Sequence, residues 1–288
     1  MTQVQDIRTH NNATISGLSS VQQGFGASER TSERYSFIPT VRLIDTLAER
    51  GWAVRSAKET RSREAGLVGF QKHMLTFRNP DLSPVGDKDA VFPEIILTNS
   101  HDGFSSFNLM AGLFRLVCSN GLVVADAMFA SMRIRHTGYT DDAVNESIDH
   151  ILRFIPVVSN KIAEWQNISL DYQERLVLAH AAVSFKYADD MQRRNKIDLG
   201  RLVRPIRRND SDGTLWQTYN TIQEKLVKGD RIEKEELRNS WSVQTYRKAR
   251  GVNGISESIR LNKALWTLAD GMAKIKKGEA NAIPTPLV

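Results

Sequence analysis

His101-Asp102-Gly103 is the stretch whose side chains come nearest to enzyme chemistry. An imidazole beside a carboxylate can ligate a metal or relay a proton near neutral pH. The run before it, Phe92 to Asn99, reads as a strand, on which successive side chains point to opposite faces. The pair therefore converges only if the backbone turns. A metal-dependent nuclease or phosphohydrolase built on His101 and Asp102 would need further His and Asp residues on helices, and no recognisable set is present. The expectation is a turn, with Asp102 bonded to its own backbone and Gly103 at positive φ. Cys118 would need a partner histidine and a lowered pKa to act as a nucleophile. His73, His101 and His136 are candidates, but no cysteine-protease signature surrounds it, and a buried structural thiol is expected. Asn120-Gly121 beside it reads as a tight-turn pair. Gly24-Phe25-Gly26-Ala27-Ser28-Glu29 lacks the third glycine, the preceding strand and the following helix of a dinucleotide fingerprint. There is no P-loop, so no cofactor and no nucleotide-driven motor are expected.

The basic residues carry more. Residues 191–250 hold 15 Lys/Arg against 8 Asp/Glu, so the net charge of +6 is a local excess rather than a supercharged surface. Arg201, Arg204, Arg207 and Arg208 form one cluster with Arg193, Arg194 and Lys196; Arg247, Lys248 and Arg250 form another, with Gly251 and Gly254 behind it. Arg55, Lys58, Arg61, Arg63 and Lys72 lie in a strand-and-hairpin region. Arg133 and Arg135 share one face of an alternating strand, opposite Met132 and Ile134. Lys/Arg spread over a surface with interleaved aromatics is the footprint of sequence-tolerant phosphate-backbone binding, and Tyr246 and Phe70 could supply stacking. Charge runs also simply solvate a face. Trp52, Trp165, Trp216 and Trp266 fall on apolar periods and are expected in the core.

The elements that must position these residues follow from 288 residues at 41% hydrophobic and 25% charged, which suits one large or two ordinary globular domains. A lone cysteine excludes an intrachain disulfide or multi-cysteine zinc site. The apolar runs are too short to span a membrane, and the N-terminus lacks a signal-peptide layout, so a cytoplasmic protein is expected. Residues 1–34 are polar, without apolar period, and read as a flexible arm. Residues 35–140 read as an α+β sheet domain. It opens with a helix from Pro39 to Arg50 and continues with strands from Trp52, Leu67 to Phe77, Phe92 to Asn99, within Phe104 to Ser119, and Phe129 to His136. Residues 141–275 read as a helical region with basic loops. Its helices are Asp141 to Gln166 kinked at Pro156, one capped by Asp171 and Glu174 and ending near Tyr187, one from Leu215 closed by Gly229, and one over Ile255 to Ile275. Residues 276–288 are a tail. The fold class is α+β: an N-terminal helix plus an antiparallel sheet with hairpins, followed by a helical C-terminal half.

Three stretches together resemble the phage- and plasmid-associated domain-of-unknown-function 932 family. They are Leu97-Thr98-Asn99-Ser100-His101-Asp102-Gly103, Phe114-Arg115-Leu116-Val117-Cys118-Ser119-Asn120-Gly121-Leu122, and Leu215-Trp216-Gln217-Thr218-Tyr219-Asn220-Thr221-Ile222-Gln223-Glu224 with Leu261-Asn262-Lys263-Ala264-Leu265-Trp266. The resemblance spans roughly residues 35 to 275. It implies residence on mobile elements, often among recombination and defence-related genes, and carries over no catalytic activity. The helix Val41 to Glu49, then Gly51-Trp52 and a basic hairpin, is similar to the opening of single-strand annealing proteins of the Erf, RecT and Rad type. That similarity implies a ring or filament that holds single-stranded DNA in a positive groove without ATP. No base-reading motif separates DNA from RNA. Two other classes stay open: a regulatory or anti-defence factor whose partner is a protein, and the metal-dependent nuclease centred on His101 and Asp102.

Overall fold

A computed structural model describes residues 2–22, 26–62, 64–84, 91–115, 120–123, 131–134, 141–235 and 243–279. Two compact units divide the chain, Met1–Val157 and Val158–Val288. The first contains helices α1 (Thr2–Ile15), α2 (Ser19–Gln22) and α3 (Thr40–Glu49). Its strands are β1 (Ala53–Glu59), β2 (His73–Arg78), β3 (Val91–Asn99), β4 (Phe107–Arg115), β5 (Asn120–Val123) and β6 (Ser131–Ile134). Helix α4 (Asp141–Asn167) runs through the division. Then come α5 (Tyr172–Lys186), α6 (Met191–Lys196), α7 (Leu199–Val203), α8 (Leu215–Lys228), β7 (Glu233–Lys234), β8 (Tyr246–Arg247) and α9 (Ile255–Lys276). The α+β class is as the sequence reads.

The division falls beside Pro156, not at the expected start of the helix. Pro156 sits inside α4, where it removes a backbone donor. Arg50 donates to Asp149 (2.5 Å) and Asn145 (3.0 Å), tying the first half of α4 to the end of α3. Val158, Ile162 and Trp165 of the second half are buried in the second unit, where Lys161 pairs with Asp270 of α9 at 2.8 Å.

In the first unit β1 to β5 pair in sequence order, all antiparallel, and β6 pairs with β4 beyond β5. Strand β2 begins at His73, not Leu67, because Ala65–Leu67 makes a 3-10 turn and the chain straightens only where residues 73–78 find partners on both sides. Asn120 and Gly121 are not a turn: they pair with Arg115 and Phe114 as part of β5. One face of β2 and β3 presents His73, Leu75, Phe77, Ile95, Leu97 and Asn99, all buried. Thr40 at the start of α3 reaches this face, its hydroxyl 2.7 Å from His73 Nε2. Asn99 donates to Thr40 Oγ1 and Ile38 O, both at 3.1 Å, so the buried polar groups here satisfy one another.

Residues 2–22, expected as part of a flexible arm, pack within the first unit. Helix α1 lies on β1, the edge strand. Its buried stripe is Ile7, Asn11 and Ile15, and Asn11 Oδ1 accepts from Val54 N at 2.7 Å while His10 Nε2 meets Val54 O at 2.9 Å. Ser20 donates through N and Oγ to Glu59 at 3.1 and 2.7 Å, and Arg8 pairs with Glu49 of α3 at 2.9 Å.

The second unit is built around α8, which is buried on nearly every side. Trp165, Trp216 and Trp266 are at most 1% exposed and meet Tyr219 in one aromatic cluster, with Trp165 and Trp266 centroids 4.4 Å apart. Such ring pairs add roughly 0.5–1.5 kcal/mol each beyond their area. The expected capping box of α5 is present, Asp171 accepting from Glu174 N and Glu174 from Asp171 N, each at 2.8 Å. Gly229 ends α8 at φ +79°.

Candidate nucleic-acid interface

In the first unit, strand β1 shows its cations at the sheet edge. Arg55 and Lys58 are exposed, and so is Arg61 in the loop that follows the strand. A break in register between Val54 and Ser56 places Arg55 on a bulge, which turns the strand locally. Lys58 opposes Met74, which opposes Thr98, which opposes Asn108, which opposes Arg133. Directly paired residues share a face, so Lys58 and Arg133 stand in one row across the sheet. The middle of that face is closed: Thr76, Ile96, Thr98 and Met110 are buried. Arg78 on it is committed to buried Glu94 at 2.8 Å. Burial pushes the Glu94 carboxyl up, while Arg78 and then Arg55 draw it back. Lys72 is half-buried; burial lowers its pKa and Asp102 opposes the shift. Arg63, Arg135 and Cys118 lie outside the described residues, as does the Arg133 side chain.

His101 and Asp102 part as the turn expectation requires. Asp102 Oδ1 accepts from Ser100 Oγ at 2.7 Å and Phe104 N at 2.9 Å, and Gly103 has φ +80°. The His101 ring is fully buried, 4.7 Å from the Phe37 ring and 5.3 Å from that of His73. Burial lowers the His73 pKa to about 4, its Nδ1 hydrogen bond to Gln71 O opposing the shift. Among the described residues no three His, Cys, Asp or Glu side chains group as a metal site would need.

In the second unit the two basic clusters are drawn together by a short hairpin. Strand β7 pairs with β8, and Ile197 bridges Glu233. The Arg201 guanidinium lies 3.8 Å from the Tyr246 ring centroid, and the Tyr246 hydroxyl donates to Asp198 at 2.9 Å. Asp198 caps α7 through Arg201 N. Glu233, nearly buried, holds Arg247 on one side and Arg193, at 3.7 Å, on the other. Arg201, Arg204, Arg208, Arg247, Lys248 and Arg250 are exposed, and so are Arg231 and Lys234, which stand apart from both clusters in the sequence. Arg207 is different. It makes a bidentate pair with Glu224 at 2.6 and 2.9 Å and lies 3.7 Å from buried Asp210, so its guanidinium is committed inside the unit. Lys225, also buried, donates to Arg201 O and Arg204 O, both at 2.6 Å, and so fixes the backbone from which the exposed arginines project. No described helix is long and apolar enough to cross a membrane.

A family model described as "Domain of unknown function (DUF932)" matches residues 28–266. The chain is 36% identical over 244 residues to the UPF0380 protein YafZ of Escherichia coli (strain K12), covering 85% of this chain and 84% of that protein. It is likewise 36% identical over 242 residues to the UPF0380 protein YfjQ of the same strain, covering 84% of each. No solved structure matches.

Proposed function

The chain belongs to the DUF932 family, and from that premise we propose that it binds single-stranded nucleic acid and anneals complementary strands without ATP, as a recombination factor of a mobile element. The observation that carries the reading is the basic surface of the second unit, where exposed Arg201 lies on Tyr246 beside Arg231, Lys234 and Arg247, and where Arg204, Arg208 and Lys248 are exposed as well. Cations in such an array neutralise phosphates and release counterions, and a guanidinium stacked on a ring offers a planar surface to an unpaired base. The β1 cations Arg55 and Lys58, with Arg61 just past the strand, support a second stretch of backbone contact in the first unit. Contacts to phosphate leave base edges available for pairing, which annealing requires. A ring or filament of copies is part of the proposal. The compartment it implies is the cytoplasm.

The test is fluorescence anisotropy with labelled single- and double-stranded oligonucleotides over a salt series, with strand annealing followed in the same buffer. Single-strand preference with a steep salt slope is expected, and Arg55→Ala/Lys58→Ala should flatten the slope by about 1.4, or about 0.7 for each phosphate that is no longer neutralised. Flat curves at low salt would refute the reading. A protein partner is the second reading, and one observation favours it. Val68 (56% exposed) and Phe104 (75% exposed) project from neighbouring turns that are tied by His101 N to Phe70 O at 2.9 Å. Copurification of one stoichiometric protein, abolished by Phe104→Ser, with no retention on DNA, would decide for it.

A further inference from the structure

In the second unit a cleft of ≈ 410 Å³ opens between the end of α5, the start of α6 and the loop that leads into α9. The loop is held by backbone packing. A Cβ on Gly229 would stand 2.3 Å from Ala249 O, and one on Gly251 would stand 2.6 Å from Val227 O, so neither position admits a side chain. Val252 N donates to Val227 O and Ala249 N to Asp230 O, both at 2.8 Å. The Lys186 ammonium bridges Leu226 O (2.7 Å) and Arg250 O (2.9 Å) from the cleft wall. This part of the surface is therefore set before any ligand arrives.

Three cations and the positive end of a helix meet three acids at the cleft. Helix α9 begins at the cleft with Gly254 as N-cap, so the positive end of a 22-residue helix faces it. Lys186, Arg193 and Arg250 line it against Asp189, Asp190 and Glu257. Two of those acids are already committed: Asp190 Oδ1 accepts from Arg193 N at 2.9 Å, and Glu257 takes Arg260 in a bidentate pair at 2.8 and 3.0 Å. Of the cations, Lys186 is held by the two carbonyls and Arg193 lies 3.7 Å from Glu233 and 3.9 Å from Asp190, which leaves Arg250 as the cation an entering anion meets first. Tyr187, also in the lining and only 7% exposed, carries a buried hydroxyl with no hydrogen-bond partner among the described residues. A buried hydroxyl left without a partner costs on the order of 1–3 kcal/mol, a cost that an acceptor entering the cleft would remove.

We propose that this cleft binds a phosphate monoester, held by Arg250, Arg193 and the first amides of α9, with the Tyr187 hydroxyl as a neutral donor. An anion at a helix N-terminus beside arginine is stabilised both by the dipole and by charge-assisted hydrogen bonds. The volume is within the range of roughly 300–1,000 Å³ for small-molecule sites, so a nucleoside monophosphate fits as well as a bare phosphate. The monoester has two sources, a free nucleotide or the phosphorylated end of a strand. The site itself does not depend on the annealing reading.

The test is a ¹H–¹⁵N titration of the full chain with inorganic phosphate and then a nucleoside 5′-monophosphate, with chloride at matched ionic strength. Saturable shifts at the amides of residues 250–257 are expected. Arg250→Ala should weaken the affinity about tenfold with an unchanged melting temperature, and Tyr187→Phe severalfold with a melting temperature that rises because the unpartnered hydroxyl is gone. The substitutions spare the Arg250 carbonyl and the Tyr187 ring, on which Lys186 rests at 5.1 Å. No saturable change, equal shifts with chloride, or unaltered affinity in both variants would overturn the proposal. Anisotropy with 5′-phosphorylated and 5′-hydroxyl oligonucleotides assigns the source. A strand end is the source if the phosphate tightens binding in wild type but not in Arg250→Ala, and a free nucleotide is the source if the oligonucleotides behave alike while the monophosphate binds. Phosphate binding without any oligonucleotide binding would refute annealing and leave this site standing.

Discussion

Acidification should loosen the first unit through one histidine. His73 is fully buried at the start of β2. Its Nδ1 faces Gln71 O at 3.2 Å, and its Nε2 faces Thr40 Oγ1, which already accepts from Asn99. That pattern suits a neutral ring with the proton on Nδ1, because the Thr40 hydroxyl then has an acceptor in Nε2. A second proton has no place in it, and the folded-state pKa drops from 6.5 to about 4. The unfolded chain therefore takes up the proton first as pH falls. Stability is full above about 6.5, drains through the interval below it, and the loss is complete below about 4. At about 1.4 kcal/mol for each pH unit of displacement this is about 3 kcal/mol, a large share of a domain's total. Hydrogen exchange at the β2 and β3 amides between pH 4 and 7.5 measures the loss locally. The same window in His73→Gln should lack close to one proton of linkage, and the His73 ring resonance in the folded protein should titrate near 4. A ring that titrates near 6.5 while the protein stays folded, or a variant with the wild-type pH dependence, would refute the reasoning.

Three further outcomes are expected. Arg207→Ala should cost about 2 kcal/mol, below the 3–5 typical of a fully buried pair because Arg207 is partly exposed, while leaving nucleic-acid affinity nearly unchanged; equal loss of affinity in Arg207→Ala and Arg201→Ala would contradict its structural role. Gly229→Ala combines a φ of +79° with a Cβ 2.3 Å from Ala249 O and should destabilise the second unit by at least about 2 kcal/mol, read by urea unfolding followed through its tryptophans. Asp171→Ala removes the side-chain half of the capping box of α5, leaving the backbone N–H from which Glu174 accepts, and should cost about 1 kcal/mol, visible as a lower urea midpoint without a change in slope.

What could be read from the sequence was what is decided locally. The Asp171/Glu174 box, Gly229 after α8 and the Asp102 turn each depend on residues within four positions, and each is present, while Pro39, expected in the first turn of α3, sits one position earlier as its N-cap. Helix α1 was missed although Ile7, Asn11 and Ile15 lie at four-residue spacing. The middle residue is polar, and its burial makes sense only with the Val54 amide 43 positions away. Asn120-Gly121 reads as a turn until β4 supplies partners for it. The arginines of the 201–208 cluster look alike in sequence, and only the fold brings Glu224 to Arg207 and Tyr246 to Arg201. The phosphate cleft joins residues 186–193 to 250–257, a juxtaposition no local spacing announces.

The seat of α1 on β1 bears on how copies of this chain can assemble. At Val54 an asparagine amide and an imidazole occupy the donor and acceptor that a neighbouring strand would otherwise claim. The first helix thus works as a stopper on the sheet. An assembly that grows by strand addition along β1 must first lift α1, breaking both bonds and the Arg8 to Glu49 pair, and then α2, breaking the Ser20 contacts with Glu59. A ring or filament in which α1 stays in place has to be joined through other surfaces.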